Sequence, residues 1–115
     1  MPLIDATLDS MATHLGSLIT HVSLHTANPS TTGANESTAA RQPVTWGASS
    51  GGDIAATAAI AFTGGAASGP VTHVGFWSAA TGGTFRGSAV VTGDGTFSSA
   101  GAYSVTALTI AGSST

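Results

Sequence analysis

The spacing of apolar residues changes its period at Thr20. Before that point Ile4, Leu8, Met11, Ala12, Leu15, Leu18 and Ile19 recur at i, i+4, i+7, i+8, i+11, i+14 and i+15. That is one apolar stripe at helical period, and it predicts an amphipathic α-helix over 3–19. Asp5 and Asp9 stand near its start, where negative charge suits the helix dipole. Gly16 weakens the last turn. The stripe either packs on its own domain or, through Ile4, Leu8, Met11, Leu15 and Leu18, forms a docking or oligomer interface with a neighbouring subunit.

After Thr20 the period is two, as in a strand that is packed on one face. Thr20-His21-Val22-Ser23-Leu24-His25-Thr26-Ala27 has a second copy in Thr72-His73-Val74-Gly75-Phe76-Trp77-Ser78-Ala79. Each copy runs into small turn-forming residues that end the strand. In the first copy Val22 and Leu24 face one side, with His21, Ser23 and His25 on the other. Further strands are predicted at 42–48, with Val44 and Trp46 on one face, and at 54–63, through Ile54, Ile60 and Phe62. Another covers 84–92, where Phe85, Gly87, Ala89 and Val91 oppose Arg86, Ser88 and Val90. A short one spans 96–99. The last spans 103–111, with Tyr103, Val105, Ala107 and Thr109 sharing a face. Asn28 to Ala40 reads as a long polar loop, and Gly93-Asp94-Gly95 as a tight turn.

The expected fold is a single, mainly β domain over 1–115. It is a small β-sandwich or jelly roll (20–111) behind one N-terminal α-helix, with a tail at 112–115. The predicted core is Val22, Leu24, Trp46, Phe62, Val74, Phe76, Phe85 and Tyr103.

Composition narrows the function. Charged residues are 6% of the 115, against about 25% in an ordinary globular chain. A monomer keeps itself soluble with a charged, mixed surface, so this chain is expected to be covered by copies of itself or by a larger assembly. There is no lysine, and Arg41 and Arg86 are the two fixed cations. They cannot make the basic track that nucleic acid or an anionic membrane requires. With no cysteine, disulfides and thiolate chemistry are excluded. The start of the chain lacks a basic segment ahead of an apolar run, which predicts synthesis and folding in a cytoplasm.

Candidate chemistry is thin. His21 and His25, four apart, would share a metal on a helix but stand roughly 13 Å apart on a strand. His73 could approach either only if the two phrases pair side by side, and His14 has no evident partner. No metal or other cofactor is expected. Gly47-Ala48-Ser49-Ser50-Gly51 matches a nucleophile elbow, yet Gly51-Gly52-Asp53 after it makes a turn rather than a helix. Asp53 also lies too close to Ser49 to serve it from a separate strand. No catalytic residue is assigned, and no enzyme is expected.

Three strings carry a resemblance. They are 25–36 (His-Thr-Ala-Asn-Pro-Ser-Thr-Thr-Gly-Ala-Asn-Glu), 40–46 (Ala-Arg-Gln-Pro-Val-Thr-Trp) and 72–85 (Thr-His-Val-Gly-Phe-Trp-Ser-Ala-Ala-Thr-Gly-Gly-Thr-Phe). Over about 20–110 the chain resembles small virion structural proteins of actinobacterial tailed phages, labelled tail fibre, minor tail or head decoration proteins. The resemblance implies a non-enzymatic role at the virion surface. A capsid decoration protein is the first expectation: an oligomer, a trimer by analogy, bound to the major capsid protein on the outside of the head. The alternative is a minor tail or tail fibre protein, in contact with other tail proteins or with host glycans.

Overall fold

The helical stripe folds as α1, Asp5–Leu18. Ile4 and Ile19, inside the expected 3–19 span, are extended residues at its two ends. Thr20 donates its N–H to the Trp77 carbonyl, so the chain is drawn into a sheet as soon as the helix stops. The computed structural model describes residues 4–91, 95–106 and 108–110.

The two copies of the repeated phrase become neighbours. β1 (His21–His25) and β5 (His73–Trp77) pair antiparallel, with His21 opposite Trp77, Ser23 opposite Gly75 and His25 opposite His73. β2 (Gln42–Pro43) joins β1, and β6 (Phe85–Val90) joins β5, giving the order β2-β1-β5-β6. Arg86 is an extra residue between the pairs Phe76–Gly87 and Trp77–Phe85, which bulges β6. The strand predicted over 42–48 shrinks to β2 and a lone bridge between Trp46 and Ala56. Pro43 has no N–H to continue a ladder.

Facing this sheet are two short ladders. β3 (Ile54–Ala55) pairs with β8 (Thr109–Ile110), and β4 (Ile60–Phe62) with β7 (Tyr103–Val105). Between them one strand carries residues 56–59 and the other only 106–108, so the register shifts by one. This corrects the faces expected for 103–111. Tyr103 and Val105 lean on the core, but the inward series resumes at Leu108 and Ile110, and Thr109 is exposed. Instead of a strand at 96–99 there is one bridge, Thr96 to Pro70, followed by a turn closed by the Gly101 N–H on the Ser98 carbonyl. Gly93 and Asp94 of the expected turn, Ala107, and the 112–115 tail lie outside the described residues.

The core lies between the layers. Val22, Leu24, Val74 and Phe76 meet Ile60, Phe62, Val71, Phe97 and Leu108, together with Ile19 and Ala39. Each large side chain removed from water contributes about 1.5–3 kcal/mol. Trp46 and Tyr103 pack on this core half-buried, whereas Phe85 sits on the opposite face of the sheet, against Trp77. The fold is mainly β, with antiparallel pairing throughout and one N-terminal helix.

Candidate interaction surface

The face of the sheet that bears Ser23 and His25 reads as an outer face, yet both residues are 0% exposed. The chain from Thr26 to Arg41 folds back over it. An Asx turn starts the fold: the Ser30 N–H donates to Asn28 Oδ1 at 2.8 Å. The Gly33 and Ala34 N–H groups then converge on the Pro29 carbonyl, and Pro29 is fully buried. Gly33 has φ +78°, and a Cβ there would stand 2.6 Å from the Trp77 ring, so glycine alone fits this turn.

Beneath the loop a chain of hydrogen bonds uses every polar atom. Trp77 Nε1–H donates to Ser23 Oγ (2.8 Å), Ser23 Oγ pairs with His25 Nε2 (2.6 Å), and His25 Nδ1 pairs with the Ala34 carbonyl (2.8 Å). A carbonyl only accepts, so Nδ1 carries the proton and Nε2 accepts from the serine hydroxyl. Arg41 closes the loop over this network. Its guanidinium lies 3.5 Å from the Trp77 ring centroid. Nε and Nη2 grip both Glu36 carboxylate oxygens at 2.9 and 3.0 Å, and Nη1 donates to the Ala79 and Gly82 carbonyls. The side chain is 9% exposed, a setting in which bidentate ion pairs count. The scarcity of cations was the available signal for Arg41, and nothing in the alternation marked Glu36 or Trp77 as its partners.

Burial lowers the pKa of His25, against an opposing pull from the Ala34 carbonyl and from Glu36; His73 and Arg41 add to the lowering. The unfolded chain therefore takes up a proton first. The stability this contributes is complete above about pH 6.5 and is lost as pH falls from there toward the folded-state value. We expect the unfolding free energy to fall between pH 7 and 5, with a slope of up to about 1.4 kcal/mol per pH unit, and the slope to flatten in His25→Asn. Midpoints of both proteins across that range check it.

The predicted stripe of α1 turns out to be two faces. Ala12 is the buried residue of the helix. A Cβ on Gly16 would come within 3.2 Å of Ile54 and Trp46, so its absence allows the helix to approach the sheet closely. Asp9 Oδ1 accepts the Gly52 N–H at 2.7 Å, and Trp46 Nε1–H donates to the Ile19 carbonyl at the end of the helix. Residues 9, 12 and 16 thus face the domain. Ile4 and Met11 point away from it, 72% and 56% exposed, while Leu15 packs on the core and Leu8 and Leu18 are half-buried. An open groove of about 410 Å³ runs between helix and sheet, floored by Trp46, Ile54 and Val44 and edged by Thr13, Ser17, Thr20 and Thr45.

The residues weighed for catalysis and metal binding lie apart. His25 and His73 are cross-strand partners, but both His25 nitrogens are engaged and His73 Nδ1 is held by Thr72 Oγ1 at 2.8 Å. Among the described residues no three His, Asp or Glu side chains converge to hold a metal. The Ser49 segment turns through Gly51-Gly52 in a tight hairpin, with Ser50 and Asp53 exchanging backbone hydrogen bonds, and Ser49 Oγ meets Thr13 Oγ1. Ser23 and His25 sit at bonding distance as a nucleophile and base would, but the serine has no exposed surface. Among the described residues no helix is long and apolar enough to cross a membrane.

One family model, described as Podophage GP4 fiber I protein gp80, matches residues 3–113. No curated protein and no solved structure matches the chain.

Proposed function

Since the chain belongs to the Podophage GP4 fiber I protein gp80 family, a family of phage virion structural proteins, we propose that it is a non-enzymatic component of a tail fibre at the virion surface. The single observation that carries this reading is a match to a fibre protein family over almost the whole chain. It favours the fibre over the capsid decoration expected first, and so favours tail proteins over the major capsid protein as neighbours. An actinobacterial source draws no support from it. The physical setting agrees with a role performed by fit. The Ser23–His25 pair is sealed and fully bonded, and large exposed apolar side chains stand at the start of α1 and on it, Ile4 and Met11.

Virions decorated with antibody to this protein and viewed by electron microscopy test the proposal. Label confined to fibres at the tail is the expected result. Label spread over the head lattice would restore the decoration reading and end this one.

A further inference from the structure

We propose that residues 26–36 form an acid-operated lid: when His25 takes up a second ring proton, the lid lifts from the outer face of the central sheet while the core between the layers stays closed. The inference holds wherever in the virion the protein sits. The lid is a unit in its own right. The Thr26 N–H donates to the Asn35 carbonyl and closes its neck, as in an Ω-loop. Within it the Ser30 N–H bonds Asn28 Oδ1, the Gly33 and Ala34 N–H groups bond the Pro29 carbonyl, and Asn35 Nδ2 bonds the Asn28 carbonyl. All of these bonds survive if the lid moves as one piece. The chain is fixed on both sides of the neck. β1 leads in; on the way out the Ser37 N–H bonds the Leu24 carbonyl, Thr38 Oγ1 bonds the Gly64 carbonyl, and Ala39 enters the core.

Little apolar surface holds the lid down. Within 26–36 only Pro29 and Gly33 are buried, and Gly33 brings backbone rather than a side chain to the Trp77 ring. The hold is chiefly polar, through two latches: the Glu36 carboxylate on Arg41, and the Ala34 carbonyl on His25 Nδ1–H. A segment attached by so few apolar contacts belongs to the parts of a fold that open first.

Protonation breaks the second latch. His25 is 0% exposed, its Nε2 accepts the Ser23 hydroxyl, and Ser23 Oγ accepts the Trp77 N–H. A proton on Nε2 turns that acceptor into a donor. Ser23 Oγ then faces two N–H groups, and its own hydrogen loses its acceptor. Among the described residues every buried side-chain nitrogen and oxygen already has a partner. The ring also gains a charge out of reach of water. Of the groups around it, Glu36 attracts that charge but is already paired with Arg41; Arg41 itself and His73, the cross-strand partner on β5, oppose it. One side of the sheet is the apolar core and the other is the lid, so the lid is the way to water. With the lid shut, burial holds His25 below its ordinary value of about 6.5, and opening restores that value. Opening therefore binds a proton. Its equilibrium constant rises by up to about tenfold for each pH unit below about 6.5, until the closed-state value is reached.

NMR on the full chain tests this, with two readouts: solvent exchange of the Trp77 indole N–H, and the contact of Gly33 with the Trp77 ring. Between about pH 7.5 and about pH 5 the indole is expected to exchange faster, after correction for the intrinsic effect of pH, and the Gly33 contact to fade. Both should follow the titration of the His25 ring. The amides bonded between β1 and β5 are expected to keep their protection. His25→Asn cannot take the proton and is expected to lose the acid response; His73→Asn is expected to keep it. If His25→Asn does not fold, the coincidence of the His25 titration with the two wild-type readouts decides. An indole that stays protected while His25 titrates would overturn the proposal. So would loss of indole and β1–β5 protection in a single step, an acid response that persists in His25→Asn, or one that vanishes in His73→Asn.

Discussion

Ser23→Ala is expected to destabilise the domain by about 2–6 kcal/mol, far more than one hydroxyl suggests. The serine oxygen is the middle link between two buried groups, the Trp77 indole N–H and the His25 Nε2 acceptor. Alanine leaves both without a partner, and each buried group left unsatisfied costs about 1–3 kcal/mol. Denaturant titration followed by tryptophan fluorescence measures the loss. The pair Ser23→Ala and Trp77→Phe should be strongly non-additive, since removing the indole N–H removes one of the two stranded groups. A Ser23→Ala loss no larger than that of a surface change, about 0.5 kcal/mol, would mean that the network does not hold the loop down.

Phe62→Ala is expected to cost about 3–5 kcal/mol, the range for emptying an aromatic site in a packed core. Phe62 is 1% exposed on β4 and faces the apolar side of the four-stranded sheet. The short ladder that carries it has only three paired residues on each strand, so little neighbouring structure can collapse into the void. For a domain of ordinary stability, roughly 5–15 kcal/mol, this removes a large share. Its neighbour Ala61 is exposed and points outward, and Ala61→Ser should leave the midpoint unchanged. Comparing the two by denaturant unfolding separates the inner face of β4 from its outer one.

Much of this architecture was legible in the chain. Alternation in 21–25 and 73–77 located two of the main strands, because a strand with two distinct faces writes them at period two; in 85–90 it located the strand, but the bulge at Arg86 put Phe85 on the face opposite the expected one. The helix was legible for the same reason at period 3.6. What escaped is what periodicity cannot encode. Alternation says that Ser23 and His25 share a face, but it does not say that Thr26 to Arg41 returns to cover that face. The one-residue excess in 56–59 over 106–108 displaced the face assignments of Leu108, Thr109 and Ile110. The alanines there are too small to announce which side they bury. Along the helical segment Ala12 and Ile19 merged with Met11 into one apparent stripe, although the first two serve the domain and Met11 faces solvent. The resemblance carried by 25–36, 40–46 and 72–85 pointed to a phage structural protein. It carried no information on head or tail, which depends on what the surface meets.

The covering of both sides of the central sheet bears on how the chain finds its register. In a sheet with one wet face, a one-residue slip is opposed only by apolar side chains entering solvent. Here a slip of β1 against β5 would also carry His25 and Ser23 into the hydrocarbon interior and strand Trp77. Misaligned pairings are thus penalised twice, once by water and once by orphaned polar atoms. A β1–β5 strand pair secured in this way can tolerate the glycine-rich, weakly paired segments around it and still settle into one alignment.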